Sequence, residues 1–148
     1  MIEPTTILND GIVAIDTEYA RSLQDASHLI IEDGRAAFVD TGVNNSVPLL
    51  IDALRAQGLD VGDVDCVILT HVHLDHAGGA GSLVQACPEA TLLVHPRGLR
   101  HMVDPGKLEA GSRAVYGDEI YESLYGTLVP VPQQRAQAMP DGETVRLG

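Results

Sequence analysis

The stretch Thr70-His71-Val72-His73-Leu74-Asp75-His76-Ala77-Gly78-Gly79 decides how this sequence is interpreted. It places four side chains of the kinds that bind metals within six positions, namely His71, His73, Asp75 and His76. An apolar run at residues 66–69 precedes it and predicts a strand that is buried on both faces. The two glycines lead into a predicted helix at residues 82–86. We therefore predict a metal site on the turn that joins this strand to the helix.

The spacing of these side chains predicts two metal positions. Side chains two residues apart in an extended segment point the same way, so His71 and His73 can bind one metal. Asp75 and His76 follow where the chain begins to turn, and they can bind a second metal beside the first. Two metals about 3.5–4 Å apart activate a bridging water and also hold the substrate. Imidazole and carboxylate without thiolate suit zinc, and they leave iron and manganese open.

A polar loop whose histidines face solvent is the alternative interpretation. A single histidine would favour that alternative, but three histidines and one aspartate within six residues favour a metal site. Gly78 and Gly79 fit the metal site, because they leave its mouth free of side chains and let backbone approach closely.

The rest of the sequence predicts an α/β order of elements. Predicted strands lie at residues 11–16, 27–31, 36–39, 66–69 and 91–94, and an Asp33-Gly34 turn joins the second and third into a hairpin. Predicted helices begin at Ser46 as N-cap and end before Gly58, and others cover residues 82–86, 97–103, 107–115 and 118–125. Residues 129–132 are expected to be extended, and residues 141–147 are expected to start as a turn and end as a strand.

The composition of the chain restricts its partners. The formal net charge of −12 disfavours nucleic acid and anionic membrane surfaces as partners, and 3% aromatic residues give few stacking platforms for single strands. A metal cluster could still attract an anionic small molecule. No apolar run approaches the ~20 residues of a membrane span. Residues 1–4 show no signal peptide, and Cys66 and Cys87 are expected to be buried and reduced, so we predict a cytoplasmic protein.

Two motifs carry a resemblance to a known family. His71-x-His73-x-Asp75-His76 followed by Gly78-Gly79 resembles the signature of the metallo-β-lactamase-fold hydrolases. Phe38-Val39-Asp40-Thr41-Gly42 resembles the strand that ends beneath the metal site in that family. The resemblance covers most of residues 11–103 and is closest to the glyoxalase II-like and general bacterial metallohydrolase branches. It implies an α/β fold, the N-terminal αβ half of an αββα sandwich, with a mixed, mostly antiparallel sheet and helices on one face.

The resemblance also implies roles for individual residues. His71 and His73 would bind the first metal, and Asp75 and His76 would bind the second. Asp75 would in addition be catalytic, because it would orient the metal-bound water that attacks the substrate. Asp40 would accept hydrogen bonds behind the ligands and fix the histidine loop, although without the resemblance an aspartate that only forms a turn is equally plausible.

The sequence departs from the family pattern after the metal loop. The family adds a later histidine to the first metal, and a bridging aspartate and a further histidine to the second. His95 and His101 follow the motif here but lie outside such segments, so we predict structural or surface roles for both, as for His28.

We therefore expect residues 1–148 to form a single, incomplete domain. Residues 1–103 would be the core αβ half with the metal loop at 70–79, and residues 104–148 would supply linking helices and the start of the next strand. A second half, or a second copy of the chain in a homo-oligomer, would supply the remaining ligands and cover an apolar sheet face.

The resemblance implies a metal-dependent hydrolase that attacks a carbonyl or ester-type bond of a small molecule with a metal-bound hydroxide. Thioesters, lactones, esters, β-lactams and phosphodiesters remain open as substrates, and the chain alone is expected to be inactive. One alternative is an oxidoreductase with a single iron, similar to the persulfide dioxygenases of this fold. Another is a non-catalytic module that binds metal and acts by association.

Overall fold

A mixed seven-stranded sheet organises residues 5–148, the part of the chain that the computed structural model describes. The strands lie side by side in chain order: β1 (Thr5–Ile7), β2 (Ile12–Asp16), β3 (Ala26–Glu32), β4 (Arg35–Val39), β5 (Val64–Ile68), β6 (Thr91–Val94) and β7 (Ala136–Ala138). Pairing is antiparallel from β1 to β4 and parallel from β4 to β7. The sheet is mixed, as predicted, and the antiparallel pairing that we expected to dominate is confined to its first half.

The predicted hairpin joins β3 to β4. Glu32 pairs with Arg35 across a turn in which Asp33 and Gly34 have φ angles of 49° and 76°. Two successive left-handed residues match the twist of the flanking strands, which is why an Asp-Gly pair serves here. The hairpin leaves β4 in the middle of the sheet, where it pairs in parallel with β5.

Within the described residues, six α-helices accompany the sheet: α1 (Val47–Ala56), α2 (Leu74–Ala77), α3 (Ala80–Ala86), α4 (Pro96–Val103), α5 (Gly106–Tyr116) and α6 (Asp118–Leu124). All were predicted except the single turn α2, which lies inside the metal loop. Ser46 precedes α1 as predicted but does not cap it with its side chain. Its hydroxyl instead accepts from the Val43 amide at 3.1 Å and donates to the Thr17 carbonyl at 2.7 Å.

The main hydrophobic core lies between one face of the sheet and α1, α3 and α4. Alternate strand residues such as Leu29, Phe38 and Leu92 are completely buried there, as are Leu50 of α1 and Leu83 of α3. Truncating one of these leucines to alanine would cost about 2–5 kcal/mol. The helices therefore cover one face, as predicted.

The opposite face is partly covered by the end of the chain. Ala37, Cys66 and Leu93 are buried on it, and Met139 and Leu147 pack against them. We expected this face to be uncovered, and that expectation is wrong for its central part. Residues 143–148 also form no strand, so the strand predicted near the C-terminus is wrong. Its alternating pattern has no neighbouring strand to pair with, and the segment instead crosses the sheet face.

Two strands were missed because their sequences are short and weakly patterned. β1 pairs with β2, and β7 takes the edge beside β6. The guanidinium of Arg135 fixes the start of β7 by donating to the carbonyl oxygens of Cys87 and Ala90, at 2.5 and 2.7 Å. Nothing in Ala136-Gln137-Ala138 itself favours a strand.

The two cysteines are buried without a disulfide, as predicted. Burial raises the pKa of Cys87 to about 11 and also raises that of Cys66, so both thiols are protonated near neutral pH. Within residues 5–148, no helix combines the length and the apolar character needed to cross a bilayer. The expectation about a signal peptide concerns residues 1–4, which lie outside the described part of the chain.

Candidate metal centre

The centre forms where β4 and β5 end. Val39 and Ile68 are partners in the parallel pair, so the residues that follow them leave the sheet at the same edge. The amide of Asp40 still donates to the Ile68 carbonyl at 2.7 Å, which places Asp40 directly beside the start of the metal loop.

Asp40 is the buried centre of a hydrogen-bond network. One carboxylate oxygen accepts the Thr70 amide at 2.9 Å, and the other lies 2.8 Å from the Thr70 hydroxyl and 3.1 Å from His76 Nδ1. Its φ of 61° is in the left-handed region, which costs a non-glycine residue roughly 1–2 kcal/mol. These hydrogen bonds hold the strained backbone and occupy both oxygens of the carboxylate.

The hydrogen bonds around Asp40 orient the rings of His76 and His71. His76 Nδ1 donates to Asp40, which leaves Nε2 as the free nitrogen of that ring. The Thr70 hydroxyl has one proton; when it donates this to Asp40, it can accept from His71 Nδ1 at 2.8 Å. His71 then also offers Nε2. A carboxylate behind a histidine that fixes its tautomer is the usual support of a metal ligand.

Three of the predicted ligands, His71, Asp75 and His76, belong to compact groups of metal-type side chains, whereas His73 lies beside His71 and joins no such group among the described residues. The rings of His71 and His73 have centroids 4.9 Å apart, and those of His71 and His76 are 4.5 Å apart. Asp75 Oδ2 lies 3.4 Å from His76 Nε2. Possible ligand atoms of Asp40, His71 and His76 form one compact group. Both carboxylate oxygens of Asp40, however, already accept hydrogen bonds. The roles of His71, His73, Asp75 and His76 as metal ligands remain predictions.

Asp25 is a further metal-type side chain at this centre, and the sequence analysis missed it. Its Oδ1 lies 3.8 Å from His76 Nε2, and donor atoms of Asp25, Asp75 and His76 all lie within 4.8 Å of one another. Its Oδ2 is buried and has no hydrogen-bond partner among the described residues. Burial, followed by the charge of Asp75, raises the pKa of Asp25. The residue lies in a segment predicted only as loop, far from the motif, and no local pattern marks it.

Gly78 and Gly79 let the loop after β4 approach the metal loop. The Gly79 amide donates to the Gly42 carbonyl at 2.9 Å, and the Thr41 amide donates to the His76 carbonyl at 2.7 Å. A Cβ on Gly79 would lie 2.7 Å from the Val43 carbonyl oxygen, which is too close for any other residue. The close backbone approach that the glycines predicted is confirmed.

Comparison with known proteins identifies the family. The sequence model of the Metallo-beta-lactamase superfamily matches residues 22–145, which include the metal loop and all the donors described above. The chain belongs to the metallo-beta-lactamase superfamily.

Two known proteins resemble the chain over different lengths. A ribonuclease of Thermus thermophilus is 29% identical over 143 residues, which are 87% of this chain and 28% of that protein. A metallo-beta-lactamase domain-containing protein of Rattus norvegicus is 45% identical over 56 residues, which are 38% of this chain and 21% of that protein.

Solved metallo-beta-lactamases share the fold. An enzyme from Legionella gormanii superposes with a TM-score of 0.73 at 22% identity, covering 99% of this chain and 50% of that chain. A subclass B3 enzyme from a soil metagenome library gives 0.71 at 23% identity, covering 99% and 49%. The chain therefore spans about half the length of these enzymes, and its α/β architecture is that of the metallo-beta-lactamase fold.

The remaining histidines of this superfamily member lie apart from the compact donor groups. His95 Nδ1 accepts from the Arg97 amide at 3.1 Å at the start of α4, and His101 is half-buried within that helix. His28 is half-buried in β3. No compact group of metal-type side chains in residues 5–148 includes any of the three.

A cavity of about 350 Å³ opens beside the metal loop. Its lining includes His73 and Asp75 of the metal loop and three tyrosines, Tyr19, Tyr116 and Tyr125. The hydroxyls of Tyr19 and Tyr125 are 2.7 Å apart, and burial raises the pKa of both phenols. The cavity therefore presents neutral aromatic groups next to the candidate metal centre.

Proposed function

We propose that this protein is a metal-dependent hydrolase that cleaves a carbonyl or ester-type bond in a small molecule. The observation that carries the proposal is the convergence of His71, His73, Asp75 and His76 at one sheet edge, with Asp40 fixing the rings of His71 and His76 from behind. Membership of the metallo-beta-lactamase superfamily supports it.

The donor set fits a resident metal. The free nitrogens and the Asp75 carboxylate form an imidazole and oxygen set without thiolate, and the carboxylate of Asp25 belongs to the same compact group as Asp75 and His76. Zinc suits such a set, and iron or manganese would also be accepted. We propose that His71 and His73 hold one ion and that Asp75 and His76 hold a second.

Each residue has a defined task in the proposed reaction. A bound metal would supply a Lewis acid that makes water nucleophilic near neutral pH. Asp75 is half-buried beside His76, where its carboxylate can orient the attacking water and accept its proton. Asp40 orients the rings of His71 and His76, because its carboxylate accepts hydrogen bonds from Thr70 and from His76 Nδ1. Asp75 is therefore our candidate for the catalytic residue.

The cavity beside the loop supports a small, largely neutral substrate. Phenol rings and the side chain of Leu108 line it, so it suits an apolar acyl or leaving group. A net charge of −12 disfavours long polyanions over most of the surface. We also propose a cytoplasmic location, because both thiols are buried and unpaired.

Phosphodiester hydrolysis is the second candidate, and one observation favours it. The Thermus thermophilus ribonuclease is 29% identical over 87% of this chain. The strong negative charge opposes RNA binding, because RNA contacts depend on neutralising phosphates.

The signature motif supplies only two ligands to each proposed ion. We propose that a second αβ unit or a second copy of this chain supplies further ligands, as the chain spans about half the length of the solved enzymes it resembles. Activity per chain measured over a range of protein concentration distinguishes these two arrangements, since only completion by a second copy makes it rise with concentration.

The hydrolase proposal is tested with zinc-loaded natural protein and a substrate panel of thioesters, lactones, esters, a β-lactam and short RNA. We expect turnover of one carbonyl or ester class that chelator abolishes. His71→Ala and Asp75→Ala should each remove it, whereas His101→Ala should retain it. RNA cleavage alone would favour the second candidate, and turnover that survives both His71→Ala and Asp75→Ala would exclude the metal centre as the active site.

A further inference from the structure

We propose that Asp25 is a metal ligand and that, with Asp75 and His76, it forms a three-donor position within this chain. The inference rests on the proposed function, because it assigns an additional residue to the same centre. It concerns a residue outside the signature motif, at the entry to β3.

The distances place Asp25 within reach of the same ion as its neighbours. Its Oδ1 lies 3.8 Å from His76 Nε2, and Asp75 Oδ2 lies 3.4 Å from the same nitrogen. One possible ligand atom from each of the three residues lies within 4.8 Å of the other two, so a single cation could contact all three. His76 Nδ1 is engaged by Asp40, so Nε2 is the atom left for a metal.

The negative charges around Asp25 favour the binding of a cation. Three carboxylates, those of Asp25, Asp40 and Asp75, surround one imidazole, and the side chain of Asp25 is only 18% exposed. Its Oδ2 is buried without a hydrogen-bond donor among the described residues. A buried carboxylate oxygen without a partner is costly, and a bound cation would satisfy it.

Asp25 is held in place by the framework of the centre. Its carbonyl accepts from the amide and the hydroxyl of Thr17, at 3.1 and 3.0 Å. The carbonyl of Thr17 in turn accepts from Ser46, and Ser27 donates to the Asp40 carbonyl at 2.8 Å. The segment before β3 is thereby tied to the loop after β4, so the position of Asp25 is fixed together with that of Asp40.

A three-donor position has a consequence for the choice of metal. Three protein ligands are the usual number for a catalytic metal, and the motif alone supplies two to each position. Two carboxylates and one imidazole suit manganese or iron(II) better than the histidine pair does. We therefore expect the position formed by Asp25, Asp75 and His76 to accept Mn²⁺, and the His71 and His73 position to prefer Zn²⁺.

Metal titration of the Asp25→Asn variant tests this. Binding of Mn²⁺ and of Zn²⁺ is measured by competition with a chelator, with Asp52→Asn as the control, because Asp52 is exposed on α1 and its replacement makes the same change in charge. We expect Asp25→Asn to weaken Mn²⁺ binding by about 10- to 100-fold, the loss of affinity that mutations around a metal site typically cause. Asp52→Asn should leave Mn²⁺ binding unchanged.

The rise in unfolding temperature caused by Mn²⁺ is a readout that a merely structural role would not change. In chelator, Asp25→Asn should unfold at a temperature equal to or above that of the wild type, because the substitution removes repulsion between carboxylates. With saturating Mn²⁺ the order should reverse, since ligand binding stabilises only the form that binds. A lower unfolding temperature of the variant in chelator, with an equal gain from Mn²⁺, would indicate a structural residue and overturn the inference.

A measurement on the wild type keeps the inference testable if the variant does not fold. Carboxylate ¹³C NMR is recorded while Zn²⁺ is added beyond two equivalents, so that both positions fill. The Asp25 and Asp75 resonances should shift and that of Asp52 should stay in place. If the wild type binds metal but the Asp25 resonance or the affinity of Asp25→Asn is unchanged, only the role of Asp25 is wrong. If the wild type binds no metal, the proposed function and this inference both fail.

Discussion

Asp40 and Thr70 are joined across neighbouring parallel strands by two hydrogen bonds, from the Thr70 amide at 2.9 Å and the Thr70 hydroxyl at 2.8 Å. This connection fixes the first residue of the metal loop to the residue that directly follows β4. Because the same carboxylate also holds His76 Nδ1, both ends of the donor cluster depend on one buried side chain. The positions of the histidine rings therefore follow from the pairing of β4 with β5.

Replacing Asp40 tests this dependence directly. In Asp40→Asn the amide nitrogen cannot accept from Thr70 or His76, so one donor loses its partner. We expect the free energy of unfolding to fall by about 1–3 kcal/mol and the affinity for zinc to fall about 10- to 100-fold. Urea unfolding and chelator competition measure the two effects. An Asp40→Asn protein with wild-type zinc affinity would show that Asp40 only forms a turn.

The close approach at Gly79 gives a prediction about stability. A methyl group there would meet the Val43 carbonyl oxygen at 2.7 Å, so Gly79→Ala must push the loop after β4 away from the metal loop. We expect a loss of about 1–3 kcal/mol, measured by urea unfolding. Gly62→Ala is the matched control, because nothing lies within 4 Å of its added Cβ. Equal stability of the two variants would contradict the packing described here.

Tyr121 gives a prediction about pH. It is fully buried under the guanidinium of Arg113, and burial, followed by the charge of Glu109, raises its pKa to about 12. The folded chain thus holds this proton more tightly than the unfolded chain does, because the pKa of an exposed tyrosine is about 10. Its contribution to stability is present below pH ~10 and is lost as the pH rises towards ~12.

Tyr121→Phe should therefore flatten the pH dependence of stability. Urea unfolding between about pH 8 and 11 should show a smaller decline in the free energy of unfolding for the variant than for the wild type. At pH 8 the variant should be at least as stable, because the Tyr121 hydroxyl has no hydrogen-bond partner among residues 5–148. Parallel declines of the two proteins would contradict the raised pKa.

The sequence predicted those parts of the structure that depend on neighbouring residues. The Asp33-Gly34 hairpin and the strand before Thr70 follow from local spacing and turn chemistry, and the structure has both. The gathering of His71, His73 and His76 also follows, because they lie within six positions of one chain segment.

The parts that were missed depend on contacts between distant segments. Asp25 reaches His76 only because Thr17 closes the preceding loop and β3 lies beside β4. The strand β7 forms where Arg135 donates to carbonyl oxygens about 45 residues earlier in the chain. No local sequence pattern predicts this contact. The predicted strand near Val145 failed for the opposite reason, since its alternating pattern found no adjacent strand edge.

The central claim is that the side chains of the metal loop bind a metal through imidazole and carboxylate donors. X-ray absorption at the zinc edge, on dialysed zinc-loaded protein, tests it most directly. We predict a first shell of nitrogen and oxygen at about 2.0–2.1 Å, with the multiple scattering of imidazole that weakens in His71→Ala, and no sulfur. Zinc that is lost on dialysis, or a sulfur shell at about 2.3 Å from Cys66 or Cys87, would contradict the claim.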